Sequence, residues 1–436
     1  MAHIRPFAGI RYQPSVGFDL SKVIAPPYDV LDEKSKAGLQ AKDPHNIVTV
    51  DLPFLPPKSV GPDEVYEKAS ITLQSWMSAG VLAQDKRRAL YPYTQTYEIH
   101  GKTYHRRGMI ALVRLSPFGQ GQVIPHEKTY KGAIEDRLKL MRATGVQLSP
   151  IFGLFSDAHG EVNKILYENA GKPAMDATMD GVRNQLWSVI DADAENRVID
   201  FLGTKPVYIA DGHHRYTTAL QYQADAIAAN GGKPLPEAHP ANWCMFVLVS
   251  MQDDGLVILP THRMIGGLDS FDINQFRAAV AGVFDVEETA LSPDQVPAFG
   301  NEVLPVQPAH TLGLYDGATR KLYQLNCQNR DVLAPLEPGQ SDAWRRLDVA
   351  ILQRYLLDEI LQPKFAGGKE LTKGYTAYAE QITPQVDGKK FQIALIIKST
   401  PLGALEQLGR HGEVMPQKST FFYPKLATGM VINPLR

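Results

Sequence analysis

Residues 88–115 alternate with a period of two. Tyr91, Tyr93, Gln95, Tyr97 and Ile99 fall on one face of an extended segment, and Met109 to Leu115 makes a returning one. His100-Gly101 between them is a hairpin turn. The same pattern recurs twice. Trp243 to Ser250 and Leu256 to Leu259 flank Asp253-Asp254-Gly255, and Leu312 to Tyr315 and Lys321 to Leu325 flank Asp316-Gly317. Strands joined by tight turns pair antiparallel, and the chain lacks the regular strand–helix alternation of a Rossmann or barrel fold. No period of 20–50 residues repeats, which excludes solenoids and propellers. The expected fold class is α+β, with mixed sheets and several hairpins.

Helices are expected where apolar residues recur at helical spacing. One starts near Asp63 and carries Val65, Ala69, Leu73, Trp76 and Met77, with Gly80 placed to end it. Others cover Lys131 to Arg142, Tyr216 to about Ala229, Leu347 to Leu361 and Leu402 to Leu408. Ile151 to Phe155 and Phe391 to Ile397 read as strands. Ala25-Pro26-Pro27-Tyr28-Asp29-Val30 cannot be helical through its prolines and forms a rigid turn. At about 100–200 residues per domain, 436 residues suggest two or three regions. We expect them at 1–120, 121–260 and 261–436.

Composition narrows the partners. The net charge of −2 argues against a broad basic surface for duplex DNA, so nucleic acid is disfavoured as a partner. Cys244 and Cys327 have no metal-site spacing and read as small buried hydrophobes in a reducing compartment. The N-terminus has no basic region followed by an apolar run, and no apolar stretch reaches the ~18 residues of a membrane helix. A cytoplasmic location without membrane contact is expected. Oligomeric state is not legible.

The chemistry concentrates where Val207-Tyr208-Ile209-Ala210, an apolar strand, runs through Asp211-Gly212 into a helix. A helix start leaves backbone N–H groups without partners and carries about half a positive charge. Gly212 allows positive φ and close backbone approach. His213, His214 and Arg215 add two imidazoles and a guanidinium in the first turn. Cations at this pole are unfavourable by roughly 0.3–1 kcal/mol each when exposed. An anion bound there would explain them. No GxGxxG follows a strand and no GxxxxGK[ST] is present, so a nucleotide would need another device. There is no GxSxG elbow, and neither cysteine has an activating neighbourhood.

Other groups accompany this turn. His126-Glu127-Lys128-Thr129 follows a strand-like segment, and Glu127 beside His126 suits general-base or metal-binding work. Thr261-His262-Arg263 sits just after a strand and offers a hydroxyl, an imidazole and a guanidinium that could grip a phosphate or carboxylate. Lys418-Ser419-Thr420, with Lys425, is a basic and hydroxyl-rich stretch whose lysines could reach phosphate.

Asp-Gly-His-His-Arg-Tyr followed by Thr217-Thr218-Ala219-Leu220 resembles the Gly-x-x-Arg turn of the ParB/sulfiredoxin superfamily. Its strand-to-helix turn grips nucleotide phosphates, and its members include free-serine kinases. Over nearly its whole length the chain resembles the DUF-1015 proteins of bacteria and archaea. Residues 25–30, 44–48, 125–129, 135–138, 211–216, 260–263 and 415–425 carry that resemblance in order. A sulfiredoxin-like reaction would need a cysteine at the turn, where His213 and His214 stand instead.

The resemblance implies that region 121–260 holds a ParB/sulfiredoxin-like phosphate site. It implies phosphoryl transfer on a small hydroxy-amino acid or its phosphate, with serine or phosphoserine the expected one, in the kinase, phosphotransferase or phosphatase direction. A nucleotide, ADP or ATP, would be the other party, with Mg²⁺ as a further cofactor. Phosphate contacts are expected from Gly212, His213, His214, Arg215, Lys418, Ser419 and Thr420. Substrate contacts are expected from His126, His262 and Arg263. Glu127, Asp211, His213 and His214 are the candidate catalytic groups, and Glu127 the candidate metal ligand. The alternative is a nucleotide-switched, ParB-like regulator that binds DNA or a protein.

Overall fold

His100 and Gly101 have φ of 48° and 75°, the left-handed pair that a two-residue hairpin turn requires. They join Tyr91–Ile99 to Lys102–Arg114 in a computed structural model that describes residues 3–13, 19–127, 129 and 131–436. The chain divides into two compact units, Met1–Val257 with Pro424–Arg436, and Ile258–Tyr423. The architecture is α+β, with antiparallel and mixed sheets.

The strands of the first unit's main sheet are β1 (Ile4–Arg5), β2 (Tyr91–Ile99), β3 (Lys102–Arg114), β4 (Val123–Ile124) and β5 (Ile151–Phe155). They continue with β6 (Met175–Met179), β7 (Val182–Leu186), β8 (Val207–Asp211) and β9 (Trp243–Ser250). They lie in the order β4-β8-β5-β9-β3-β2-β7-β6, with β1 beside β3. Residues from 1–120 and 121–260 therefore share one sheet. The hairpin expected around Asp253-Asp254-Gly255 does not form. Both edges of β9 are already taken, by β3 antiparallel and by β5 parallel, so no edge remains for the segment that follows.

Helices α1 (Asp63–Ser78), α2 (Lys131–Thr144), α3 (Glu161–Glu168), α4 (Ala192–Leu202) and α5 (His213–Ala229) complete this unit's main elements. α1 buries Tyr66, Ala69, Leu73 and Trp76, and Gly80 ends it at φ 72°. Met77, expected on the buried face, is exposed. α2 packs against both α1 and α5. Tyr216 and Ala219 of α5 join Val207, Ile209, Phe246 and Leu248 of the sheet in one apolar core. Each buried Val, Ile, Leu or Phe among them stabilises the unit by roughly 1.5–3 kcal/mol. That core anchors the start of α5 against the end of β8.

The second unit holds β10 (His262–Gly266), β11 (Phe284–Glu288), β12 (Thr311–Asp316), β13 (Lys321–Cys327), β14 (Thr372–Thr376) and β15 (Ile393–Ile396). Their order is β11-β13-β12-β15-β10-β14. The expected hairpin around Asp316-Gly317 is β12–β13. Ile351–Leu361, expected as an ordinary helix, is wound as a π-helix. Leu402–His411 is helical and closes on Gly412 at φ 66°.

Candidate phosphate-binding turn

β8 ends irregularly. Ile209 pairs with Gly153 and Asp211 with Phe152 of β5, so Ala210 is bulged out and Asp211 is re-aimed at the strand end. Gly212 follows at φ 100°, a value that L side chains rarely adopt. The seventeen residues of α5 begin at His213. Tyr216 pins this start: its hydroxyl donates to Ser116 O at 2.8 Å and accepts from Ser116 N at 3.0 Å.

Asp211 is the electrostatic hub. Lys425 Nζ donates to its Oδ2 at 2.6 Å, and Arg215 Nη2 lies 3.4 Å from its Oδ1. Burial alone would raise the carboxyl, but Lys425 and Arg215 outweigh it and hold Asp211 below the usual carboxylate range. Arg215 is buried, and its Nη1 donates to Pro150 O.

The histidines are not equivalent. His213 is buried, and its Nε2 accepts from the His126 backbone N–H at 3.1 Å. That assigns the ring proton of a neutral His213 to Nδ1. The His126 ring stands edge-on to it at 4.6 Å, with its Nδ1 2.5 Å from Ile209 O. Burial pushes both imidazoles down, and for His213 the neighbouring His126 adds to it. Both are therefore neutral at pH 7 and add no cation to the helix start. His214 is half-buried.

β4 runs parallel to β8, with Val123 opposite Val207 and Ile124 opposite Tyr208. Both strands then lead into the candidate residues at the same sheet end, His126-Glu127 after β4 and Asp211-Gly212 after β8. Glu127 is half-buried, and Lys128 lies outside the described residues. Among the described residues, no group of three or more His, Cys, Asp or Glu is arranged to hold a metal ion.

A family model described as "Protein of unknown function (DUF1015)" matches residues 4–350. The chain belongs to the DUF1015 family. No curated protein matches the DUF1015 chain. Among solved structures it is similar to a free serine kinase in complex with AMP, at 12% identity and a TM-score of 0.32, over 69% of this chain and 83% of that one. It is similar to SbnI with a C-terminal truncation from Staphylococcus aureus, at 12% and 0.35, over 74% and 87%. A conserved hypothetical protein from Pyrococcus furiosus gives 15% and 0.31, over 70% and 89%. Likeness at these values carries no functional inference.

The remaining candidates of the DUF1015 chain belong to the second unit. His262 and Arg263 sit on β10, between β15 and β14, and both are fully buried. His262 Nδ1 accepts from Ile397 N at 3.2 Å, and burial, then Arg263, push the imidazole down to about 3. Arg263 donates to Thr261 O and, at 3.3 Å, to Gln417 O, with its guanidinium 5.4 Å from the Tyr375 ring centroid. Lys418 is exposed at φ 58°. Ser419 is buried and donates to Pro416 O, and Thr420 is half-buried.

Sequence patterning had singled out neither Arg106 nor the Asp51–Arg137 pair, and gave Lys425 only a general role. Arg106 lies on β3 with its guanidinium 4.7 Å over Phe152, and donates to Gln95 Oε1 and, at 2.6 Å, to Pro424 O. An arginine in register with Gly108 and Ile110 on a strand face was the available signal. Burial lowers it to about 10.

Proposed function

We propose that the Asp211–Arg215 turn holds a phosphate group and that the protein moves a phosphoryl group to or from a small hydroxy-amino acid. Serine or phosphoserine is the proposed substrate, and a nucleotide (ADP or ATP) or water the other party. The charge at the turn carries this proposal. Two cations, Lys425 and Arg215, sit on one carboxylate, Asp211, at the N-terminus of a long helix. The helix pole adds about half a positive charge and its first-turn N–H groups. A phosphate would neutralise that surplus. The resemblance of the central block to the ParB/sulfiredoxin superfamily, free-serine kinases included, supports both the phosphate and the serine.

Roles follow from the local chemistry. Gly212 lets backbone approach the phosphate, and Arg215 and His214 are its proposed side-chain contacts. Asp211, held ionised, is a weak proton acceptor, so the base role falls to Glu127. His213 Nε2 accepts from the His126 amide, and His213 or His214 is the proposed phosphoryl acceptor in a water-dependent route. Mg²⁺, where used, would be held by one or two carboxylates, Glu127 and Asp211, together with phosphate oxygens, and would offset phosphate charge. Contacts from His126, His262, Arg263, Lys418, Ser419 and Thr420 rest on the sequence alone.

The test is direct. Purified protein is incubated with serine plus ATP or ADP, and with phosphoserine, each with and without Mg²⁺. Phosphoserine and phosphate are then quantified. Formation or consumption of phosphoserine in at least one combination is expected. No turnover in any combination overturns the proposal.

A further inference from the structure

Arg215 does not only face Asp211. It also lines a cavity of about 40 Å³ in the first unit, shared with Tyr28, Asp51, Arg137 and Ser149 and walled by apolar side chains such as Leu140. At roughly 10–15 Å³ per water, the space takes about three or four waters, room for a small polar molecule and too little for a nucleotide.

The polar groups around it are unusual for so small a space. Arg137 is 6% exposed, Arg215 9% and Asp51 3%. Charges this deep are costly unless paired and hydrogen-bonded. Their pairing here is incomplete. Arg137 Nε donates to Asp136 Oδ2 at 2.8 Å, and Nη1 donates to the Asp51 carbonyl at 2.5 Å. Its Nη2 lies 2.7 Å from the Asp136 carboxylate but out of line, and it makes no hydrogen bond among the described residues. Asp136 is also claimed by the Tyr66 hydroxyl at 2.8 Å. Asp51 Oδ2 accepts from Ser149 Oγ at 3.0 Å, while its Oδ1 stands 3.5 Å from Arg137 Nη1, beyond a good hydrogen bond. The Tyr28 ring packs 4.0 Å from the Arg137 guanidinium and fixes its plane. The cavity thus offers two guanidiniums and, beside that of Arg137, a carboxylate with capacity for a further donor.

We infer that this cavity binds the zwitterionic head of a small α-amino acid, its carboxylate on Arg137 and Arg215 and its ammonium on Asp51. The inference rests on the phosphoryl-transfer proposal for the identity of the amino acid as the phosphoryl acceptor or donor. Arg215 is common to the turn and the cavity, which would set the amino-acid side chain near the phosphate. The small volume supplies the specificity: serine enters and large side chains do not.

Calorimetric titration of the full-length protein tests this with L-serine, ethanolamine, glycerate, L-phenylalanine and, separately, ADP. L-serine is expected to bind one to one. Ethanolamine lacks the carboxylate and glycerate the ammonium, so both should bind at least about tenfold more weakly, because each leaves a buried charge unpaired. L-phenylalanine should not bind. Asp51→Asn should weaken L-serine about tenfold or more and leave ADP affinity unchanged. The analogue series uses the wild-type protein, so it decides even where Asp51→Asn fails to fold. ADP binding without L-serine binding overturns the cavity assignment and leaves the turn intact. Ethanolamine or glycerate binding as tightly as L-serine overturns it too, as does a serine affinity that Asp51→Asn leaves unchanged. L-serine binding with the stated selectivity, but no ADP binding, supports the cavity and counts against the nucleotide at the turn.

Discussion

At Gly212 a Cβ would sit 3.0 Å from Arg215 Nε, and the backbone already stands at φ 100°. Gly212→Ala should therefore cost about 1–2 kcal/mol in left-handed strain and push the guanidinium off Asp211. A urea melt showing no loss of stability would contradict this. Lys425 carries a second residue-scale prediction. The Asp211 carboxyl is depressed on folding, so the pair contributes stability that is present above the unfolded value of about 3.9 and lost as pH falls through the folded one. Lys425→Met should remove about 2–4 kcal/mol at pH 7, and much less in strong acid. Equal losses at pH 7 and at strongly acid pH would refute the coupling. The glycine and Arg215 were legible in the sequence because a strand, a glycine and a helix stood in succession. Lys425 was legible only as a lysine that could reach phosphate. Its partner Asp211 stands 214 positions earlier in the chain, and no local pattern encodes that contact.

At the scale of elements, β4 and α5 meet through His126 and His213, both neutral and both depressed by burial. An unfolded histidine takes up a proton below about 6.5. The unfolded state then binds more protons than the folded one, so stability falls as pH drops below that value. The slope reaches about 1.4 kcal/mol per pH unit for each such histidine. His213→Gln, whose amide oxygen can still accept from the His126 amide, should lower the slope by about one proton. Denaturant melts between pH 7 and pH 5 would show it, and an unchanged slope would contradict it. The two hairpins with adjacent strands were readable because turn and alternation agree locally. The one around Asp253-Asp254-Gly255 was misread because β9 pairs with β3 and β5, strands distant in sequence. The burial of Asp136 and Arg137 on α2 was not legible either, since Arg137 reaches Asp51, 86 positions earlier in the chain.

For the whole molecule, the chain leaves the first unit at Val257 and returns at Pro424. The returning segment buries Leu426, Met430, Val431, Ile432 and Leu435 and pairs Asn433 with Gln147. At roughly 1.5–3 kcal/mol per such side chain, its loss rivals the 5–15 kcal/mol that holds a typical domain. Truncation after Tyr423 should leave the first unit unfolded or aggregated, and a soluble product with a near-native circular dichroism melt would contradict that. No helix among the described residues is long and apolar enough to cross a membrane. With a net charge of −2, a steep salt-dependent shift of duplex DNA is not expected. The most direct test of the phosphate turn is calorimetric titration of ADP and of inorganic phosphate into wild type and Arg215→Ala, with melts run alongside to confirm folding. Binding to the wild type, weakened about tenfold or more in a folded Arg215→Ala, is the predicted result. Equal affinity in both proteins, or no binding to the wild type, would contradict it.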